Sequence, residues 1–381
     1  GRVPLPVALA GGRHVVWHCG DSVFAVEVRP LQPGQPRSAP RCALTMNGSG
    51  GAVTCLAWNP RASGASADFV AGSVAGDLYC ASVLTQGELR DGCGKLTVQL
   101  NKSGINGGRC NAAAWVPGAA TRLLSAHVDG CVYLWESAHA SSSAAAADAT
   151  AFPSLGDSAS TCAPGGVSAA HTPARSPNKG AAQARWHVSD APLTSMAFAP
   201  AGDCLAVADA SGAVRIYRWR DGTEGGELTP AGGLRAYFGS VRCMCWSPDS
   251  RYLAFGGAAD LVEVWDAVEQ RTCAWGEGHS SWLEGVAFVR SSSEGPEGDR
   301  SAGGTPFRVV SVAQDGRVIA WEMSGDASAG DGGARYETGT LLPPPSRRDV
   351  PRMVAVAGGK VHAFPCCALA ADATSGAVVT V

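Results

Sequence analysis

The chain has 381 residues, 45% of them hydrophobic and only 17% charged, and carries a formal charge of −3. A chain of this length and make-up can bury a sizeable interior, which excludes wholesale disorder, while its near-neutral balance removes the electrostatic case for nucleic acid or an anionic membrane as partner. No run approaches the roughly 18 uninterrupted apolar residues of a membrane helix, and no secretory signal is present. The sequence reads as soluble and intracellular, cytoplasmic or nuclear. It begins at Gly1 and stops inside a strand-like run, as expected of a fragment.

Taken in order, the chain repeats itself at the period of roughly 40–45 residues that marks propeller folds. Units fall at about residues 3–46, 52–90, 108–137, 184–220, 234–268, 280–322 and 351–381. One landmark is a strand ending in an aromatic: "VTCLAWNP" with Trp58, "CNAAAWVP" with Trp115, "LTSMAFAP" with Phe198, "VRCMCWSP" with Trp246 and "LEGVAFV" with Phe288. The other is a tight turn leading into an alternating strand: "VAGDLYCA", "HVDGCVYLWE", "DASGAVRIYRW", "AADLVEVWD", "AQDGRVIAWE" and "ATSGAVVTV". Between them lie short buried-strand patterns such as "CLAVA", "YLAFGG" and "FRVVSVA".

Alternation sends every second side chain to one face of a small sheet, and such a sheet must pack against two neighbours to cover both faces. Asp129 lies six residues before Trp135, and Asp315 six before Trp321. At that spacing a turn carboxylate can share a hydrogen-bonded cluster with the indole and a preceding His, here His279. These units resemble the WD-repeat family, with Trp265-Asp266 and Gly278-His279 as its Trp-Asp and Gly-His marks. The expected fold is all-β, a single seven-bladed WD-repeat β-propeller over residues 1–381, with disordered insertions at 138–183, 290–306 and 324–348. Ala75, Ser211, Ala259 and Ser375 replace the turn Asp in four units, and those blades are expected to rely on apolar packing.

The chemistry screens return little. There is no GxSxG, HExxH, GxxxxGK[ST] or strand-borne GxGxxG, so no catalytic residue is assigned and no small-molecule substrate or cofactor is expected. The 14 cysteines mostly sit in apolar runs without zinc spacing, which assigns no metal site and reads as buried, reduced thiols.

The informative residues are loop aromatics that the repeat does not need. Tyr237 and Phe238 precede the first strand of one unit, and Trp282 holds the matching place in the next. Loops there lie on the top face of a WD repeat, so Phe238 and Trp282 form a candidate hot spot, with Arg235 and Arg242 as its charged rim. The rival placement folds either ring inward as a cap on its blade.

The stretch from "ARWHVSDAPLTSMAFAPAGDCLAVADASGAVRIYRW" through "RAYFGSVRCMCWSPDSRYLAFGGAADLVEVWD" and "GHSSWLEGVAFV" to "FRVVSVAQDGRVIAWE" is similar in order and wording to the WD repeat-containing protein 20 family. That family includes the carbon-catabolite-repression WD proteins of filamentous fungi. The tail "PPSRRDVPRMVAVAGGKVHAFPCCALA" resembles its last blade. The resemblance implies a non-catalytic cofactor that binds and activates a ubiquitin-specific protease, in some members beside a second WD-repeat activator, with the contact carried by Phe238 and Trp282. The competing expectation is a WD scaffold of another assembly: a ubiquitin-ligase substrate receptor, or a trafficking or chromatin subunit.

Overall fold

In the computed structural model, the described residues are 7–10, 14–27, 40–46, 51–59, 66–84, 91–137, 168–171, 182–222, 226–290, 307–323, 341–344, 346, 348, 350–363, 366, 369–371 and 378–380. They are β-strands and turns, with one three-residue 3-10 segment at Lys102–Gly104. No helix among them is long and apolar enough to cross a membrane. The chain divides into two compact units, Gly1–Met196 with Trp219–Thr229, and Ala197–Arg218 with Pro230–Val381.

The first unit holds three sheets. The first contains β1 (Val7–Ala10), β2 (His14–Cys19), β3 (Ser22–Glu27) and β4 (Arg41–Thr45). Next come β5 (Val53–Trp58), β6 (Ser66–Ser73), β7 (Leu78–Leu84) and β8 (Gly94–Leu100). The third sheet contains β9 (Cys110–Trp115), β10 (Arg122–His127), β11 (Cys131–Glu136), β12 (Ser168–His171) and β13 (Ala184–His187), in the order β12-β13-β11-β10-β9. Their cores lie between consecutive sheets: Val16, Val23, Phe69 and Tyr79 bury the first against the second. Val70, Leu78, Leu123 and Trp135 bury the second against the third.

Four sheets follow. The fourth contains β14 (Leu193–Phe198), β15 (Cys204–Asp209), β16 (Ala213–Arg220) and β17 (Glu227–Arg235). The fifth contains β18 (Val241–Trp246), β19 (Tyr252–Gly257), β20 (Leu261–Asp266) and β21 (Arg271–Glu277). The sixth contains β22 (Leu283–Arg290), β23 (Phe307–Ala313), β24 (Arg317–Glu322) and β25 (Val354–Lys360). A two-stranded pair, β26 (Leu369–Ala371) with β27 (Val378–Thr380), completes the set. Val264, Leu283, Phe288 and Trp321 pack the fifth sheet against the sixth, the face alternation that the sequence pattern requires.

The polar clusters explain how the turns are held. In the sixth sheet His279 Nδ1 lies 3.1 Å from the Asp315 carboxylate, His279 Nε2 lies 2.8 Å from Ser311 Oγ, and Trp321 Nε1 donates to Ser311 Oγ at 2.8 Å. A carboxylate only accepts, so the imidazole proton sits on Nδ1 and Nε2 accepts from the Ser311 hydroxyl. Burial works against the Asp315 charge, but the N–H groups of Ser280 and Arg317 and the His279 ring hold its carboxyl below the usual carboxylate range. In the third sheet Trp135 Nε1 donates to Ser125 Oγ at 2.7 Å, yet the partner imidazole is His127 of the same strand, whose Nδ1 donates to Gly108 O at 2.7 Å. Asp129 serves the Tyr133 hydroxyl instead, at 2.7 Å.

Three expectations are corrected. β13 and β25 pair with β11 and β24, so they belong to the third and sixth sheets and do not open the next units at 184 and 351. Outer strands carry neither landmark; β8 and β21 fill the gaps left between 90 and 108 and between 268 and 280 for that reason. Parts of the expected disordered insertions are ordered: β12 lies within 138–183, Arg290 ends β22, and Leu342 of 324–348 bridges Leu234 of β17 in parallel; the remainder of those segments lies outside the described residues. The units lacking the turn Asp are not all apolar. Asp77 accepts from Gln99 and Ser103 N at 2.8 Å, and Asp209 accepts from Ser211 and Arg215, two residues from the expected place in each case.

Trp265 does follow the apolar expectation: it is buried, and its indole N–H has no partner among the described residues. Both rings lose equal volume on truncation to Phe, so Trp321→Phe should destabilise by about 1 kcal/mol more than Trp265→Phe, the worth of one hydrogen bond, in urea titrations of the two variants. His18 is buried with neither ring nitrogen partnered among the described residues, and burial lowers its pKa from 6.5 to about 4. A neutral-only imidazole contributes stability that is present above pH 6.5 and lost as pH falls toward 4, amounting to about 3 kcal/mol. His18→Leu should flatten that part of the stability–pH curve, measured against wild type by urea midpoint at each pH.

Candidate functional site

The aromatic loops enter β18 and β22, the first strands of the fifth and sixth sheets, at equivalent ends. Phe238 is 68% exposed, Trp282 50% and Tyr237 42%, so none of the three rings caps a blade. Gly239 makes the turn after Phe238: its φ is +66°, and a Cβ there would come within 2.8 Å of the Ala258 Cβ. The Tyr237 N–H donates to the buried Glu263 carboxylate at 2.9 Å, which anchors the loop while its rings stay in solvent.

Trp282 is held from below. The Arg242 guanidinium lies 5.3 Å from its ring centroid, a cation–π contact. The same guanidinium donates to Glu284 through Nε at 3.1 Å and through Nη2, which lies 2.8 Å from Oε1. Gln314 Nε2 donates to Glu284 Oε1 at 2.5 Å, and Gln314 N–H donates to the Trp282 carbonyl at 3.0 Å. Arg242 and Glu284 are each the second residue of their strand, so one ion pair ties the fifth sheet to the sixth beneath the aromatic loop. Burial raises the Glu284 pKa, and Arg242 and Gln314 oppose that rise.

Arg235 ends β17, exposed, with its N–H donating to Leu342 O; it makes no aromatic or ion-pair contact among the described residues. Asp266 accepts from Arg251 at 2.9 Å and from the N–H groups of Val268 and Glu269, so the Trp-Asp mark of that unit fixes a hairpin and belongs to no surface site. Sequence reasoning missed Glu284, Gln314 and the serines Ser125 and Ser311. Each Ser stands ten residues before its Trp, a spacing that could have revealed it. Glu284 offers only the oddity of an acid inside an apolar run.

No group of three or more His, Cys, Asp or Glu among the described residues is placed to hold a metal ion. Every described cysteine is a free thiol. Burial pushes the Cys80 and Cys273 thiols up to about 12, which leaves them inert small hydrophobes.

Two comparisons bear on this arrangement. Residues 229–266, from β17 through β20, match the WD domain, G-beta repeat. A chain in the crystal structure of a mitotic checkpoint complex is similar with a TM-score of 0.61 at 11% identity, the match covering 100% of this chain and 87% of that one. Likeness at that identity speaks for the fold alone. The fold is an all-β propeller of WD-repeat type, and the matched repeat is the one that carries Tyr237, Phe238 and Arg242.

Removing Arg242 leaves a buried carboxylate uncompensated, so Arg242→Ala should cost about 3 kcal/mol at pH 7. Adding Glu284→Gln should recover part of that loss in a double-mutant cycle read by urea unfolding.

Proposed function

We propose that this protein is a non-catalytic scaffold, a seven-bladed WD-repeat propeller of the cytoplasm or nucleus, that binds and activates a ubiquitin-specific protease. The observation that carries the binding surface is Trp282, half exposed yet fixed by Arg242, Glu284 and Gln314. An aromatic that is both exposed and immobilised loses little entropy when it docks, which is what an interface anchor needs. Phe238, more exposed still, sits at the matching entry of the neighbouring blade and supplies the second anchor. Arg242 lies beneath the patch, while Arg235 adds charge at the end of β17.

The choice of a protease as partner rests on the sequence resemblance around Tyr237-Phe238-Gly239 and Trp282. Activation without catalytic groups works by population shift: a scaffold that prefers the productive arrangement of the protease raises the occupancy of that state. A second WD-repeat activator would act on the same equilibrium. The alternative is a WD scaffold of another assembly, a ubiquitin-ligase substrate receptor or a trafficking or chromatin subunit, which would keep the fold and lose the aromatic patch as the site.

The deciding experiment is affinity purification with mass spectrometry, wild type beside the Phe238→Ala/Trp282→Ala variant. A ubiquitin-specific protease should come down with wild type and be absent with the variant, at a melting temperature within about 2 °C of wild type, since surface changes cost little. Recovery of ligase adaptors or coat subunits in its place would favour the alternative.

A further inference from the structure

The outer strands of the fourth, fifth and sixth sheets are treated differently by the chain. On β17, Leu342 N–H donates to Gly233 O at 3.0 Å and Arg235 N–H donates to Leu342 O at 2.8 Å. On β21, Trp275 N–H donates to Pro351 O at 3.2 Å, Met353 N–H donates to Trp275 O at 2.7 Å, and Trp275 Nε1 donates to Val350 O at 3.0 Å. Both edges are thus covered by an extended segment running parallel to the strand, through the bridges Leu234 to Leu342 and Trp275 to Arg352. The next outer strand, β25, pairs with β24 on one side and with nothing on the other among the described residues.

β25 is exposed along all seven residues, "VAVAGGK", whereas β17 and β21 are partly buried. Val354 is 60% exposed and Val356 41%. A groove of about 640 Å³ runs along it, lined by residues 355–360, Ile319, Arg317 and Gly278. Small residues, Ala355, Ala357, Gly358 and Gly359, line most of its length with Val356, and Gly359 has open space where a Cβ would stand. At its far end Arg317 and Lys360 are directly opposite across the β24–β25 pair, both exposed, with no acidic partner among the described residues. Like charges facing each other across a strand pair repel, so the site gains from an incoming carboxylate.

We infer that the outer edge of β25, unpaired among the described residues, is a docking site for an extended segment of a partner protein that adds a strand to the sixth sheet, placing a β-branched or aromatic side chain beside Val356 and a carboxylate near Arg317 and Lys360. Strand addition draws affinity from main-chain hydrogen bonds and specificity from alternate side chains and end charges. A lysine on an edge ordinarily keeps strands away; paired with Arg317 it admits only an acidic one. A second copy of this chain is a poor occupant, because β25 would bring its own lysine and no carboxylate. The site shares no residue with the Phe238–Trp282 patch, so the two surfaces can be occupied and tested separately.

The test is selection of a phage-displayed library of random octapeptides on the whole chain. Selected peptides should combine Asp or Glu with alternating β-branched or aromatic residues. Their synthetic forms should bind Arg317→Glu/Lys360→Glu and Val356→Asp about tenfold or more weakly, as expected when two surface charges are reversed or a carboxylate replaces the exposed valine beside an acidic peptide. They should bind Phe238→Ala/Trp282→Ala unchanged. Peptides with Lys in place of the acid should regain affinity for Arg317→Glu/Lys360→Glu, which separates charge recognition from misfolding. The inference fails if no peptide is enriched, if enriched peptides ignore the charge reversal, or if sedimentation shows the free chain dimerising through this edge.

Discussion

A sheet of four short strands has two faces and cannot cover either by itself, so it needs a neighbouring sheet to pack against. The cores sit between sheets: Phe69 and Tyr79 between the first and second, Val264 and Trp321 between the fifth and sixth. Strand alternation, the small residues of the inner strands and the indoles at repeated positions all serve that packing. The buried polar atoms must then be satisfied locally, and the chain does this with a serine hydroxyl that accepts from an indole and donates to an imidazole.

That device varies while the fold persists. The sixth sheet takes its histidine from the loop before β22, whereas the third takes His127 from its own strand. In the latter, Gly107 leaves room: a Cβ there would lie 2.7 Å from the His127 ring. The second and fourth sheets replace the device with Asp77 and Asp209, and the fifth leaves the Trp265 indole unpartnered among the described residues. Since apolar packing carries the stability, the polar cluster at each turn is free to drift so long as no buried charge is stranded.

The same packing explains the surface. Arg242 and Glu284 occupy equivalent positions on adjacent first strands, and their ion pair turns a packing contact into a platform for Trp282. An aromatic loop without such support would be mobile and would give up binding energy on docking. The chain covers the outer edges of β17 and β21 with its own extended segment, while β25 has no pairing on its outer side among the described residues.

From the sequence alone came the all-β class, the repeat, the inner strands, the turn at Asp315 with its indole, and the prominence of Phe238 and Trp282. All of these are local: alternation, fixed spacings and turn residues are written along the chain at short range. The outer strands were not legible, because a strand such as β25 has no buried face and therefore no pattern; only its pairing with β24 reveals it. Nor was the role of Glu284, whose partners lie 42 residues before it and 30 after it. Contacts across sheets are set by where the repeats stack, and no single-chain spacing encodes which acid meets which base. The tertiary structure therefore decided which aromatic is anchored, which arginine anchors it, and which outer strand goes unpaired among the described residues.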